Sequence, residues 1–291
     1  VWKLGGKEPE VLAALAPDEP LAIGSAFKLY VLGELAQEVA AGKRKLADVV
    51  LLDAAHRSLP SGQMHEWPIG APVTLATLAS MMISISDNTA TDHLLATFGR
   101  ERVETMLGAM GNSHAERSLP FLATNELFRL KMTRGAKGAD EYAKLDLAGK
   151  RAYLAKEVAS WPLDEAHLDN GAFTGPNRID TLEWFASASD LCRAMDWLRA
   201  NTESGPATAV REVLAIHRGL DVSKELFPWC GFKGGSEPGV MNLTFLLHAK
   251  DGAWYALSAG WNDPKDAVDE ARFAGLVQRA IFVLGKTAGA K

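Results

Sequence analysis

The chain has 291 residues, 47% hydrophobic and 23% charged, with a formal net charge of −5. That balance belongs to a globular protein with a sizeable core, built as one large domain or two intimate subdomains. The mild acidity and lack of a basic block exclude a nucleic-acid footprint, and no apolar run reaches the length of a membrane span.

Val1 to Leu4 reads as a strand closed by Gly5-Gly6, so the chain is expected to begin inside a fold. The first residues carry no export-signal pattern. EVLAAL and LAIG continue as strand and connection to Gly24, and a long apolar helix then runs to about Ala41. Lys43 to Asp53 fits a strand or a helix, and His56 to Pro72 is loop-like by its prolines and glycines. Thr74 is a cap for LATLASMMISIS, and Asp87 or Asn88 opens TATDHLLATFG, closed by Gly99. Further helices are expected over Arg100–Met110, Thr124–Met132 and Asp146–Trp161, with a glycine-rich basic loop over Thr133–Ala139. Residues 162–180 are irregular. Thr181 is expected to open a long amphipathic helix, and ATAVREVLAI a short one.

Near Phe227 the pattern changes to short apolar segments, WCGFKGG, NLTFLLHAK and AWYALSAGW, with Asp251-Gly252 as a hairpin turn. A final amphipathic helix carries Val268, Phe273, Val277, Ile281 and Leu284. The expected architecture is α/β (α+β). Residues 1–24 and 217–291 form a sheet subdomain, and residues 25–216 an inserted helical one with an enlarged region at about 112–180. Cys192 and Cys230 make neither a disulfide framework nor a zinc signature, and His65-Glu66 lacks a second ligating histidine. No metal and no cofactor are expected.

Chemistry is concentrated in Leu21–Glu38, LAIGSAFKLYVLGELAQE. Ser25 stands at the helix start and Lys28 follows three residues later, on the same face and one turn deeper. The helix is apolar nearly all round, so Lys28 is expected to be buried. Burial disfavours an ammonium and makes a neutral amine available, which is what a serine nucleophile needs. The competing reading makes Ser25 a simple N-cap and lets Lys28 snorkel to water.

Two more fragments join this pair: Ser86-Asp87-Asn88 at a helix–helix junction, and Lys233-Gly234-Gly235-Ser236 in the first late strand. With them the chain resembles the penicillin-recognising serine hydrolases, and looks most like their class A β-lactamase branch. SAFKLY and ISISDNTATDHL are also similar to a divergent branch that includes the clavulanic-acid-pathway cephalosporin esterase. The resemblance covers nearly the whole chain. It implies a β-lactamase/transpeptidase-like fold, an antiparallel sheet from both chain ends flanked by helices, and an acyl-enzyme on Ser25. It also implies Lys28 as proton acceptor, Ser86 as proton relay and Lys233 as the charge beside it. Asn88, Gly235 and Ser236 become substrate-binding, with the backbone N–H groups of Ser25 and Ser236 as an oxyanion hole. The implied partner is a small molecule with a carboxylate (a β-lactam, or a related ester or peptide), and the implied location is periplasmic or secreted.

Three departures stand out. Gly234 lacks the hydroxyl the family carries after the lysine. Ser86 and Lys233 are 147 residues apart, longer than in an ordinary class A enzyme. Glu165 stands in a Glu-x-x-Leu-Asn-like stretch with one extra residue, and reads either as the deacylation base or as a solvated loop charge. An esterase, a D,D-peptidase and a penicillin binder without turnover remain alternatives.

Overall fold

A computed structural model describes residues 1–133, 135–163 and 174–288. In chain order the elements are β1 Trp2–Leu4, β2 Glu10–Val11, β3 Leu21–Ala22, α1 Lys28–Ala40, β4 Val49–Leu51 and β5 Pro72–Thr74. There follow α2 Leu75–Ser84, α3 Asn88–Phe98, α4 Arg100–Ala109, α5 Thr124–Met132, α6 Gly135–Ala143 and α7 Leu147–Lys156. The rest are β6 Phe185–Ala186, α8 Ala188–Asn201, α9 Thr208–Leu214, β7 Trp229–Glu237, β8 Val240–His248, β9 Trp254–Asn262 and α10 Glu270–Ala288.

Strands from both chain ends make one antiparallel five-stranded sheet, ordered β2-β1-β9-β8-β7. The central strand β8 is buried on both faces from Val240 to Leu247, and Asp251-Gly252, with Gly252 at φ 86°, turns β8 into β9. Val277, Ile281 and Leu284 of α10 pack with Phe245, Leu247 and Leu257 of the sheet in one apolar cluster. The intervening chain is mostly helical, with the short pairs β3–β6 and β4–β5 attached.

α1 runs through the larger core, where Leu29, Tyr30, Val31, Leu32 and Leu35 are fully buried. Each such aliphatic side chain contributes roughly 1.5–3 kcal/mol of burial, which fixes the helix that carries Lys28. Phe27 stacks on Trp184 at 3.7 Å between centroids and meets Phe121 edge-on at 5.6 Å.

Two expectations are corrected. Thr133–Ala139 is not a surface loop: Gly135–Ala143 is helical, and buried Ala139 and Tyr142 anchor it, Tyr142 lying against Tyr153. Tertiary packing outweighs the glycines there. The long helix begins at Ala188 rather than at Thr181. Ser187 Oγ accepts the Asp190 N–H, and Asp190 Oδ2 accepts the Ser187 N–H, in a capping box. The apolar residues before it serve a strand instead, with Phe185 and Ala186 paired to Ala22 and Leu21.

Candidate active site

Ser25 lies in a 3-10 turn, Gly24–Phe27, between β3 and α1. Its hydroxyl caps neither that turn nor α1. The N-cap reading therefore falls, and Ser25 stands partly exposed in a cleft with its side chain uncommitted to the helix.

The turn is pressed against β7 in a way only glycine permits. A Cβ on Gly235 would stand 2.2 Å from the Ile23 carbonyl oxygen and 2.4 Å from the Ser25 nitrogen. A Cβ on Gly24, at φ 47°, would stand 3.1 Å from the Ser236 nitrogen. These contacts bring the backbone of Ser25 and of Ser236 alongside each other. Gly235, expected to be substrate-binding, also lets the nucleophile's own backbone come this close.

Lys28 is fully buried, which removes the snorkelling alternative. Its Nζ lies 2.6 Å from the Ser86 carbonyl oxygen, 3.0 Å from Ser86 Oγ and 2.7 Å from Asn88 Oδ1. Burial, and then the charge of Lys233, hold Lys28 well below the ordinary lysine value, while Asp92 and Asp87 pull the other way. A neutral amine satisfies the same three partners by donating to the two carbonyl-type oxygens and accepting from the hydroxyl.

Lys233 approaches the same hydroxyl from β7. Its Nζ is 3.1 Å from Ser86 Oγ and 2.6 Å from the Gly234 carbonyl, and burial lowers it to about 7. Ser86 Oγ thus sits between two amines. Ser86 itself has φ 59°, a left-handed conformation that costs roughly 1–3 kcal/mol for a non-glycine residue. Buried Asp87 holds it there, with Oδ1 accepting from Ala90 N at 2.8 Å and Oδ2 from Gln63 N and Met64 N at 2.7 and 2.8 Å. Asn88 Nδ2 donates to the Leu59 carbonyl, fixing the amide that faces Lys28.

Ser25, Ser86, Asn88, Lys233, Gly235 and Ser236 line one cleft of about 500 Å³. Glu165 lies outside the described residues. The cleft also takes in Phe128, His217, Phe232 and Glu237, none of which sequence reasoning singled out. Glu237 had a usable signal, since it directly follows Ser236 in a strand. The walls formed by Phe128 and His217 depend on packing between distant segments.

The missing hydroxyl at Gly234 has a steric reason. A Cβ there would meet Phe232 Cζ at 2.8 Å and the Asn242 carbonyl oxygen at 3.0 Å. Phe232, two residues earlier on the same strand face, occupies that space.

Asp53, His56 and His93 also come together, with ligand atoms within 4.8 Å of one another. His93 is already committed: Nε2 accepts the Asp53 N–H at 3.0 Å and Nδ1 faces the Thr89 carbonyl at 2.8 Å. This group fastens the loop after β4 to α3.

Residues 3–158, more than half of the chain, match the model of the beta-lactamase enzyme family. The chain belongs to that family. This penicillin-recognising serine hydrolase is similar in fold to a beta-lactamase from Sphaerobacter thermophilus, at 20% identity and a TM-score of 0.62, covering 93% of this chain and 86% of that one. A beta-lactamase from Desulfarculus baarsii is alike at 17% identity and 0.61, covering 96% and 87%. A mutant of PBP-A in an acyl-enzyme complex with penicillin G matches at 13% identity and 0.60, covering 94% and 83%. No curated protein matches the sequence.

Proposed function

We propose that this β-lactamase-family hydrolase opens a β-lactam amide through an acyl-enzyme on Ser25. The observation that carries this reading is the Ser86 hydroxyl, held between Lys28 and Lys233 in the cleft that contains Ser25. In the proposed reaction Ser25 Oγ attacks the lactam carbonyl carbon and its proton passes to neutral Lys28. The oxyanion is held by the N–H groups of Ser25 and Ser236, each donor worth roughly 3–4 kcal/mol in such sites. The C–N bond breaks as Ser86 delivers its proton to the leaving nitrogen and takes back from Lys28 the proton that came from Ser25, with Lys233 sustaining the charge beside it. Water then hydrolyses the ester, with Glu165 as the proposed base. Asn88 positions substrate or Lys28. The substrate carboxylate is assigned to the Ser236 hydroxyl and Lys233, and the proposed location is the periplasm or the exterior. Penicillin G as the acyl donor of a relative with this fold agrees with the substrate class.

One observation favours a second reading. With Phe232 in place of a hydroxyl after Lys233, the cleft offers a carboxylate fewer donors, which suits a neutral ester attacked by the same machinery. Stopped-flow turnover of nitrocefin against p-nitrophenyl acetate separates the two. The lactamase reading predicts nitrocefin hydrolysis with an acylation phase; ester cleavage with no lactam consumption assigns the esterase. Glu165→Gln is expected to leave acylation intact and slow deacylation. An unchanged deacylation rate removes Glu165 from the reaction.

A further inference from the structure

At the end of β7, directly after Ser236, the cleft wall holds a buried charge cluster that the proposed chemistry does not use. Lys131 Nζ, in the last turn of α5, lies 2.6 Å from Glu183 Oε1 and 2.6 Å from Glu237 Oε1. The side chains of Lys131, Glu183 and Glu237 are 2%, 0% and 10% exposed. Two ionised carboxylates against one ammonium would leave a net negative charge out of water, which is costly. Glu183 and Glu237 converge on the one ammonium, each 2.6 Å from Lys131 Nζ, and a carboxyl that keeps its proton there can offer it to the other. Burial and the neighbouring Glu183 push Glu237 up to about 8, while the two carboxyls raise Lys131 against the opposing pull of burial. Near neutral pH the cluster is therefore one ion pair and one neutral acid. Lys131 from α5, Glu183 from the segment before β6 and Glu237 from β7 are the titratable groups that face one another in it.

The cluster joins the two pieces of backbone that flank the Ser25 turn. Glu237 follows Ser236, whose backbone abuts Gly24. Glu183 precedes Trp184, whose carbonyl accepts the Ile23 N–H at 3.0 Å and whose ring stacks on Phe27. Glu183 Oε2 also accepts the Trp184 N–H at 3.2 Å, and Asn177 Nδ2 donates to the Lys131 carbonyl at 3.2 Å.

We propose that Lys131, Glu183 and Glu237 are positioning residues: a buried one-proton clasp that sets β7 and the Trp184 segment on either side of the Ser25 turn and loosens when its proton is lost in alkali. The kinetic part of this proposal rests on the hydrolase reading above; the clasp itself does not. Glu237 is raised in the folded protein from 4.5 to about 8, so its contribution to stability is complete below 4.5, declines as pH rises from there, and is gone once pH has passed through about 8.

The test follows the melting temperature of the full chain against pH for the wild type, Glu237→Gln and Lys131→Met, alongside kcat and KM for nitrocefin. The glutamine amide can donate to Glu183 and accept from Lys131 with no proton to lose. Glu237→Gln is expected to flatten the wild type's fall in melting temperature between pH 4.5 and about 8, and to hold kcat where the wild type declines as pH rises through about 8. Lys131→Met is expected to lower kcat on the order of 100-fold with KM little changed, as misplacement of a catalytic backbone does. A Glu237→Gln melting curve that overlays the wild type at every pH overturns the clasp, and it decides the matter even where Lys131→Met does not fold. A kcat in that variant that falls in alkali as in the wild type overturns its link to the Ser25 turn. A melting curve flattened in Glu237→Gln, without nitrocefin turnover by any variant, upholds the clasp and counts against the lactamase reading alone.

Discussion

Lys28 Nζ donates to the Ser86 backbone carbonyl at 2.6 Å and contacts its hydroxyl at 3.0 Å, although the two residues are 58 positions apart. The lysine thus does two jobs. It holds Ser86 in its left-handed conformation and places an amine beside a hydroxyl that also faces Lys233.

Lys28→Met separates these jobs by their costs. Removal of the amine leaves the Ser86 carbonyl and Asn88 Oδ1 buried without their donor, at about 1–3 kcal/mol for each unsatisfied group. A fall in melting temperature should accompany a loss of acylation of roughly 10²–10⁴-fold, the usual worth of a positioned general base. Thermal unfolding and nitrocefin acylation rates check both parts. A variant that acylates at the wild-type rate would remove Lys28 from the proton path.

The pH dependence has a definite sign. Lys233 falls from 10.5 to about 7 in the folded protein, and Lys28 is lowered as well, both by burial first. The unfolded chain therefore binds more protons in the alkaline range, so the contribution of Lys233 to stability is complete above 10.5 and is lost as pH falls through about 7, and that of Lys28 changes in the same direction. Lys233→Met should flatten the rise in melting temperature over that interval. Acylation by the wild type should rise with pH as Lys28 loses its proton, and fall at higher pH as Lys233 loses its charge and the clasp at Glu237 opens.

Gly235→Ala places a methyl 2.2 Å from the Ile23 carbonyl and 2.4 Å from the Ser25 nitrogen. Backbone must move on one side or the other, so destabilisation of about 1–3 kcal/mol is expected. Displacement of the Ser236 N–H should reduce acylation on the order of 100-fold. Denaturant unfolding and single-turnover acylation measure the two effects.

Gly234→Thr restores the hydroxyl the family carries after the lysine, yet should not improve turnover of a carboxylate-bearing lactam. The new Cβ meets Phe232 at 2.8 Å. Paired with Phe232→Ala, the same change should lower KM relative to Phe232→Ala alone. Steady-state kinetics of the single and double variants decide this.

The sequence exposes those parts of the site that depend on local pattern. Ser25 and Lys28 stand one turn apart at the start of an apolar segment, and Asp87 caps α3 as its position suggests. The five-stranded sheet follows from short apolar segments at the chain ends, separated by turn signals. What stays hidden depends on long-range packing. The buried faces of Ala139 and Tyr142 turn a glycine-rich stretch into α6, and the apolar residues Leu182, Trp184, Phe185 and Ala186 mimic the helix that starts only at Ala188. Ser25 looks like a helix cap in sequence because serine so often is one; Gly24 at positive φ makes it a turn residue instead. The Lys131–Glu183–Glu237 cluster joins residues 52 and 106 positions apart, beyond any sequence spacing.

Intact-protein and peptide-level mass spectrometry after brief exposure to penicillin G tests the central claim most directly, with Ser25→Ala as the comparison. The account predicts one penicilloyl adduct on wild type, carried by the peptide containing Ser25, and none on the variant. An adduct that persists in Ser25→Ala, or one located on another residue, contradicts it.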